Sequence, residues 1–119
     1  MADYEITDKK AFQETREKLF TLTRSLNACR QRIQITDTDK QRCLITTREL
    51  ESLPSNTKTY KAVGKMFIIS PMNELKDELN KQAQKDEEDV KGLINQSKYL
   101  DAQIRDAEKS LQELVIMKK

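Results

Sequence analysis

Two thiols, twenty carboxylates and no imidazole make up the reactive inventory of this 119-residue chain. Histidine is the side chain that most often serves as general base, nucleophile partner or metal ligand, and its absence removes most catalytic designs. Cys29 and Cys43 are separated by about 21 Å if one helix carries both. At that distance they can neither bond to each other nor share a metal, so they read as small buried hydrophobes in a reducing compartment. Two glycines in all leave no phosphate-cradling loop. The carboxylates are interleaved with Lys and Arg on outward helix positions, which makes a solvated face and not a paired-carboxylate site. The residues therefore argue against an enzyme and imply no cofactor and no metal.

Charge narrows the partners. Twenty-two basic residues against twenty acidic ones leave +2, with no basic block and few aromatics beside basic residues, so nucleic acid is excluded as a partner. No apolar run reaches the roughly 18 residues that a membrane span needs, and no secretory or lipidation pattern is present. The reading is a cytoplasmic protein with no membrane partner, with a nuclear pool left open. A composition 35% charged and 5% aromatic fits a coiled coil better than a folded enzyme domain.

The elements that carry these residues follow from heptad spacing. Phe12, Leu19, Leu26, Ile33, Lys40 and Thr47 occupy a positions of one register, with Thr15, Leu22, Cys29, Thr36, Cys43 and Leu50 at d. Such 3–4 spacing over about five heptads predicts a coiled-coil helix over residues 9–52. A second helix is predicted over residues 71–117. It opens with Met72, Leu75 and Leu79, takes an extra four-residue step to Ala83, then runs Val90, Ser97, Ile104, Leu111 at a and Asp86, Leu93, Leu100, Ala107, Leu114 at d. The extra step reads as a stutter. Each helix would be about 65–70 Å long, and two such helices in one chain fold back as an antiparallel pair. If facing residues sum to about 124–126, Phe12 meets Leu111 and Leu114, Leu22 meets Ile104, Ile33 meets Leu93 and Leu50 meets Leu75. In that register the misfits Lys40 and Asp86 face each other, either as a register-setting pair or as two side chains that each reach for solvent. Thr7 or Asp8 can cap the first helix, Pro54 ends it, and Ser70-Pro71 suits the start of the second.

Residues 57–70 read as a single β-hairpin, with strands at Thr57–Val63 and Lys65–Ser70 and a positive φ needed at Gly64. Met66-Phe67-Ile68-Ile69 does not alternate, so both faces of that strand must be covered, which one hairpin cannot do for itself. The fold class is thus mainly α: a long antiparallel two-helix coiled coil with a single β-hairpin between the helices, one domain over residues 1–119. Partner subunits supply the missing strands through Tyr60, Val63, Gly64, Met66, Phe67, Ile68 and Ile69. Leu44, Ile45 and Leu53 are placed to pack beneath them.

The order of helix, single hairpin and helix, with Tyr60-x-x-Val63-Gly64-Lys65-Met66-Phe67-Ile68, Lys9-Lys10-Ala11-Phe12 and Lys98-Tyr99-Leu100, resembles the β-type subunits of prefoldin over essentially the whole chain. The resemblance implies a hetero-hexamer with other α- and β-type subunits, whose hairpins build a double β-barrel from which six coiled coils hang. It implies an ATP-independent co-chaperone that holds unfolded actin, tubulin and other clients at the coiled-coil tips and delivers them to the cytosolic group II chaperonin. A holdase needs exposed apolar groups on an otherwise soluble surface. The candidates near the ends are Ile6, Phe12, Leu111, Leu114, Val115, Ile116 and Met117, with Tyr4 beside them. The competing reading is a structural oligomerisation or tethering module with no chaperone activity.

Overall fold

The computed structural model describes residues 3–118. In chain order these form β1 (Asp3–Ile6), α1 (Lys9–Glu51), β2 (Thr59–Val63), β3 (Met66–Ser70), α2 (Met72–Glu113) and β4 (Val115–Lys118). Their contacts divide the chain into two compact units, one of residues 1–32 and 93–119, the other of residues 33–92.

Local chemistry sets the helix ends. Asp8 caps α1: its Oδ1 accepts the Ala11 N–H at 3.1 Å and its carbonyl accepts the Phe12 N–H at 2.9 Å, satisfying amides that a helix start leaves orphaned. At the other end the Ser52 and Leu53 N–H groups bond three residues back, to Glu49 and Leu50. This tightened last turn runs directly into Pro54. Pro71 stands just before α2, and its carbonyl accepts the Leu75 N–H at 3.1 Å. Between these ends α1 carries threonines that would ordinarily weaken a helix. The hydroxyls of Thr15, Thr21, Thr23, Thr38, Thr46 and Thr47 each donate to the carbonyl one turn earlier, so their polarity is absorbed by the helix itself.

In both units the seam follows the predicted register. Every a and d side chain of α1 from Phe12 to Leu50 is buried or half-buried, and so is every one of α2 from Met72 to Leu114. The first unit has the apolar core: Leu26, Cys29, Leu93, Leu100 and Ala107 are all buried. There the Cys29 thiol also donates to the Leu93 carbonyl at 3.2 Å, so its role is packing plus one bond across the seam. In the second unit the buried seam residues are Ala83, Thr47 and Asp86, which makes that stretch polar.

The largest departure from the sequence reading is at the end of α2. α2 stops at Glu113, and Val115–Lys118 is a strand paired antiparallel with Asp3–Ile6, where the sequence reading continued the helix to Met117. Two causes act together. Val115 and Ile116 are β-branched and favour extended backbone. The Leu114 carbonyl is taken by the Thr7 N–H at 2.9 Å and the Thr7 hydroxyl at 3.1 Å, so the first segment of the chain satisfies what another helical turn would have.

With its core one side chain deep, the first unit should be sensitive to single truncations. Leu100→Ala should destabilise the chain by about 2–4 kcal/mol, measured by urea unfolding followed by circular dichroism. Truncating the exposed neighbour Tyr99 to Ala should cost far less.

Candidate functional site

The hairpin is built by a two-residue turn. Gly64 adopts φ 59, a conformation that side chains with a Cβ resist, and with Lys65 it joins Val63 to Met66. The register Tyr60↔Ile69 and Ala62↔Phe67 puts Tyr60, Ala62, Phe67 and Ile69 on one face. Thr59, Lys61, Val63, Met66, Ile68 and Ser70 take the other. That second face is anchored at its base: Thr59 is buried, its hydroxyl donates to the Ser70 carbonyl, and Lys61 Nζ lies 2.7 Å from Glu78 Oε2 of α2. The first face is covered by nothing, and Phe67 is 76% exposed. Val63, Met66 and Ile68 are exposed as well, and so are Leu44, Ile45 and Leu53. The three helix-base residues stay exposed; Leu53 lines a cavity with Thr59, Ile69 and Met72, and Lys61 ties the hairpin to α2 through Glu78.

Backbone and side chains point to the same use. A two-residue loop makes Val63–Met66 a hydrogen-bonded pair, so the outward N–H and C=O groups belong to Tyr60, Ala62, Phe67 and Ile69. Tyr60, Ala62, Phe67 and Ile69 thus combine uncovered side chains with unpaired backbone. This is a sheet fragment prepared for further strands.

The Lys40–Asp86 pair takes a different form from either sequence alternative. Asp86 is only 5% exposed, and its Oδ1 accepts from Gln82 Nε2 at 2.9 Å, one turn back on the same helix. Among the described residues the ion pairs are Arg30–Asp101, Lys61–Glu78 and Lys91–Glu87, and Lys40–Asp86 is not one of them. Lys40 is half-buried and lines a cavity of about 430 Å³ with Leu44, Asn80, Ala83 and Glu87. Burial pushes the Cys43 thiol up from its ordinary pKa, and the Asp86 and Asp39 carboxylates add to this while Arg42 opposes it.

At the chain ends Ile6, Phe12, Leu111, Leu114 and Val115 are all half-buried, the first and last as parts of β1 and β4. The side chains of Tyr4, Ile116 and Met117 lie outside the described residues. Phe12 and Leu111 line an apolar groove of about 780 Å³ together with Arg16, Leu19 and Phe20. Phe20 is 64% exposed, and the Arg24 guanidinium stands 5.8 Å from the centre of its ring, a cation–π arrangement. Phe20 lies off the a and d positions, which from the sequence alone marks it, with Ile35 and Ile94, as an apolar residue free to line a client-facing cavity, though not as a partner of Phe12 and Leu111 in one groove.

A long helix pair with an uncovered sheet fragment is the design of a coiled-coil subunit that joins other chains. Comparison with known proteins gives the class a family. Residues 13–116 match the family model described as prefoldin subunit. The probable prefoldin subunit 1 of Dictyostelium discoideum is 73% identical over 111 residues, covering 93% of this chain and 96% of that protein. Prefoldin subunit 1 of Arabidopsis thaliana is 30% identical, covering 90% and 84%. Among solved structures the prefoldin beta subunit of Thermococcus strain KS-1 superposes with a TM-score of 0.79 at 20% identity, covering 90% of this chain and 93% of that one. The chain belongs to the prefoldin subunit family. It is a co-chaperone subunit that assembles with other prefoldin subunits, and such subunits are chaperones rather than enzymes.

The thiol offers a direct check of the polar seam. Removing the negative charge with Asp86→Asn should let Cys43 ionise at lower pH and so react faster with iodoacetamide at pH 8. The rate at Cys29, in the other unit, should not change. Mass spectrometry of the alkylated peptides reads both.

Proposed function

We propose that the chain is one β-type subunit of a cytoplasmic hetero-hexamer that holds unfolded proteins, actin and tubulin among them, and passes them to the group II chaperonin without ATP. The observation that carries this reading is the uncovered Tyr60–Ala62–Phe67–Ile69 face, whose side chains and backbone edges both await strands from other subunits. Burial of apolar area at about 25 cal/mol per Å² makes such a face a strong assembly determinant once paired. Assembly through the hairpin leaves the chain's remaining apolar surface for clients. The groove lined by Phe12, Leu19, Phe20 and Leu111 supports that role, together with Ile6, Leu114 and Val115. Contacts with unfolded chains need only apolar area and adaptable geometry, and partly exposed aromatics provide both.

Two variants separate assembly from holding. Phe67→Ser should leave the helical signal of the isolated chain unchanged and abolish incorporation into the hexamer, as read by native mass spectrometry. Phe20→Ser with Leu111→Ser should leave the hexamer intact. In a light-scattering assay that complex should lose most of its ability to slow aggregation of unfolded actin, roughly the loss of one hot-spot contact of ~2 kcal/mol. Full protection by the double variant would remove the groove from the client surface.

A further inference from the structure

We infer that Asp86 is a specificity determinant for helix pairing: it confines α2 to one register against α1 by what it refuses to face, and not by an ion pair with Lys40. This goes beyond the proposed chaperone role and holds whether or not that role is correct. Asp86 occupies a d position and is 95% buried as a residue, since it is 5% exposed. One carboxylate oxygen is satisfied by Gln82, and the other, Oδ2, has no hydrogen-bond partner among the protein's own groups. A buried carboxylate held this way weakens the pair that contains it. Its surroundings show where it is tolerated. From Ile33 to Leu50 the seam of α1 offers Thr36, Lys40, Cys43 and Thr47, with no large aliphatic residue. The Thr47 hydroxyl is committed to the Cys43 carbonyl, so it gives Asp86 no help.

Competing pairings give it no better place. Slipping α2 by one heptad along α1 would set the carboxylate against Ile33 in one direction and against Thr47, whose hydroxyl is already committed, in the other. Pairing two copies of the chain through α2 in parallel would set Asp86 against Asp86. Polar residues at single core positions fix register and partner number in coiled coils at a cost in stability, and here the cost is visible as the unpartnered oxygen. Ala83 on α2 and Thr36, Cys43 and Thr47 on α1 are small or polar, so apolar packing alone discriminates little between registers in this stretch.

The test uses the full chain with spin labels on unnatural residues at the exposed positions Asp37 and Lys85, which leaves both cysteines in place, diluted with unlabelled chain. The parent should give a single narrow distance distribution. Asp86→Leu should raise the melting temperature by roughly 5–10 °C and add a second distance or broaden the first. Asp86→Asn, neutral but polar and of the same size, should keep the single distance. The inference is overturned if Asp86→Leu melts at or below the parent, or if it keeps the parent's one narrow distance. It is equally overturned if Asp86→Asn broadens as much as Asp86→Leu, since any disturbance of the layer would then loosen the pairing.

Discussion

A pair of helices has one interface, and everything else in this protein follows from how little that interface can bury. Each helix hides a single stripe of a and d side chains. No large side chain among the described residues is fully buried, so the core is a line and not a volume. In the unit of residues 1–32 and 93–119 that line is apolar, with Leu26, Cys29, Leu93, Leu100 and Ala107 all buried. In the unit of residues 33–92 it turns polar, and the chain's strongest apolar run, Met66–Ile69, stands uncovered at the hairpin. A chain that placed those residues in its own seam would be a firmer monomer. Placing them on a two-stranded ribbon makes stability depend on neighbours.

That arrangement separates two kinds of apolar exposure. The hairpin face is flat and backed by an ordered ladder with unpaired backbone on both edges, suited to one defined partner geometry. The groove beside Phe20 has no ladder, and its rim carries Arg16, Glu17 and Arg24, which keep it wetted and soluble. Order and unpaired backbone suit the hairpin edge to assembly.

Much of this was legible in the residues. The 3–4 spacing from Phe12 to Leu50 locates the seam because a helix can turn only one stripe inward, and the burial of Thr47 with the half-burial of Lys40 shows that position outranks polarity. Gly64 marks the turn because its φ is needed there, and the strands prove shorter than read, since Thr57 closes a turn onto Pro54 and Lys65 joins the loop. The chain ends were not legible. Strand β4 depends on Asp3–Ile6, more than a hundred residues away in sequence, and no local pattern announces such a pairing. The Lys40–Asp86 register placed the two residues in one region, but it could not show that Gln82, on the same helix, would reach the carboxylate first.

The threonines of α1 carry a consequence for how its surface presents itself to water. A hydroxyl folded onto the preceding turn leaves the γ-methyl facing outward, as at Thr21, Thr23, Thr38 and Thr46, all exposed. A mean hydropathy of −0.81 scores each of these as polar, while a molecule brushing the helix would meet carbon. The outer wall of α1 is therefore greasier than its letters suggest, in a stipple of isolated methyl groups too dispersed to form a patch.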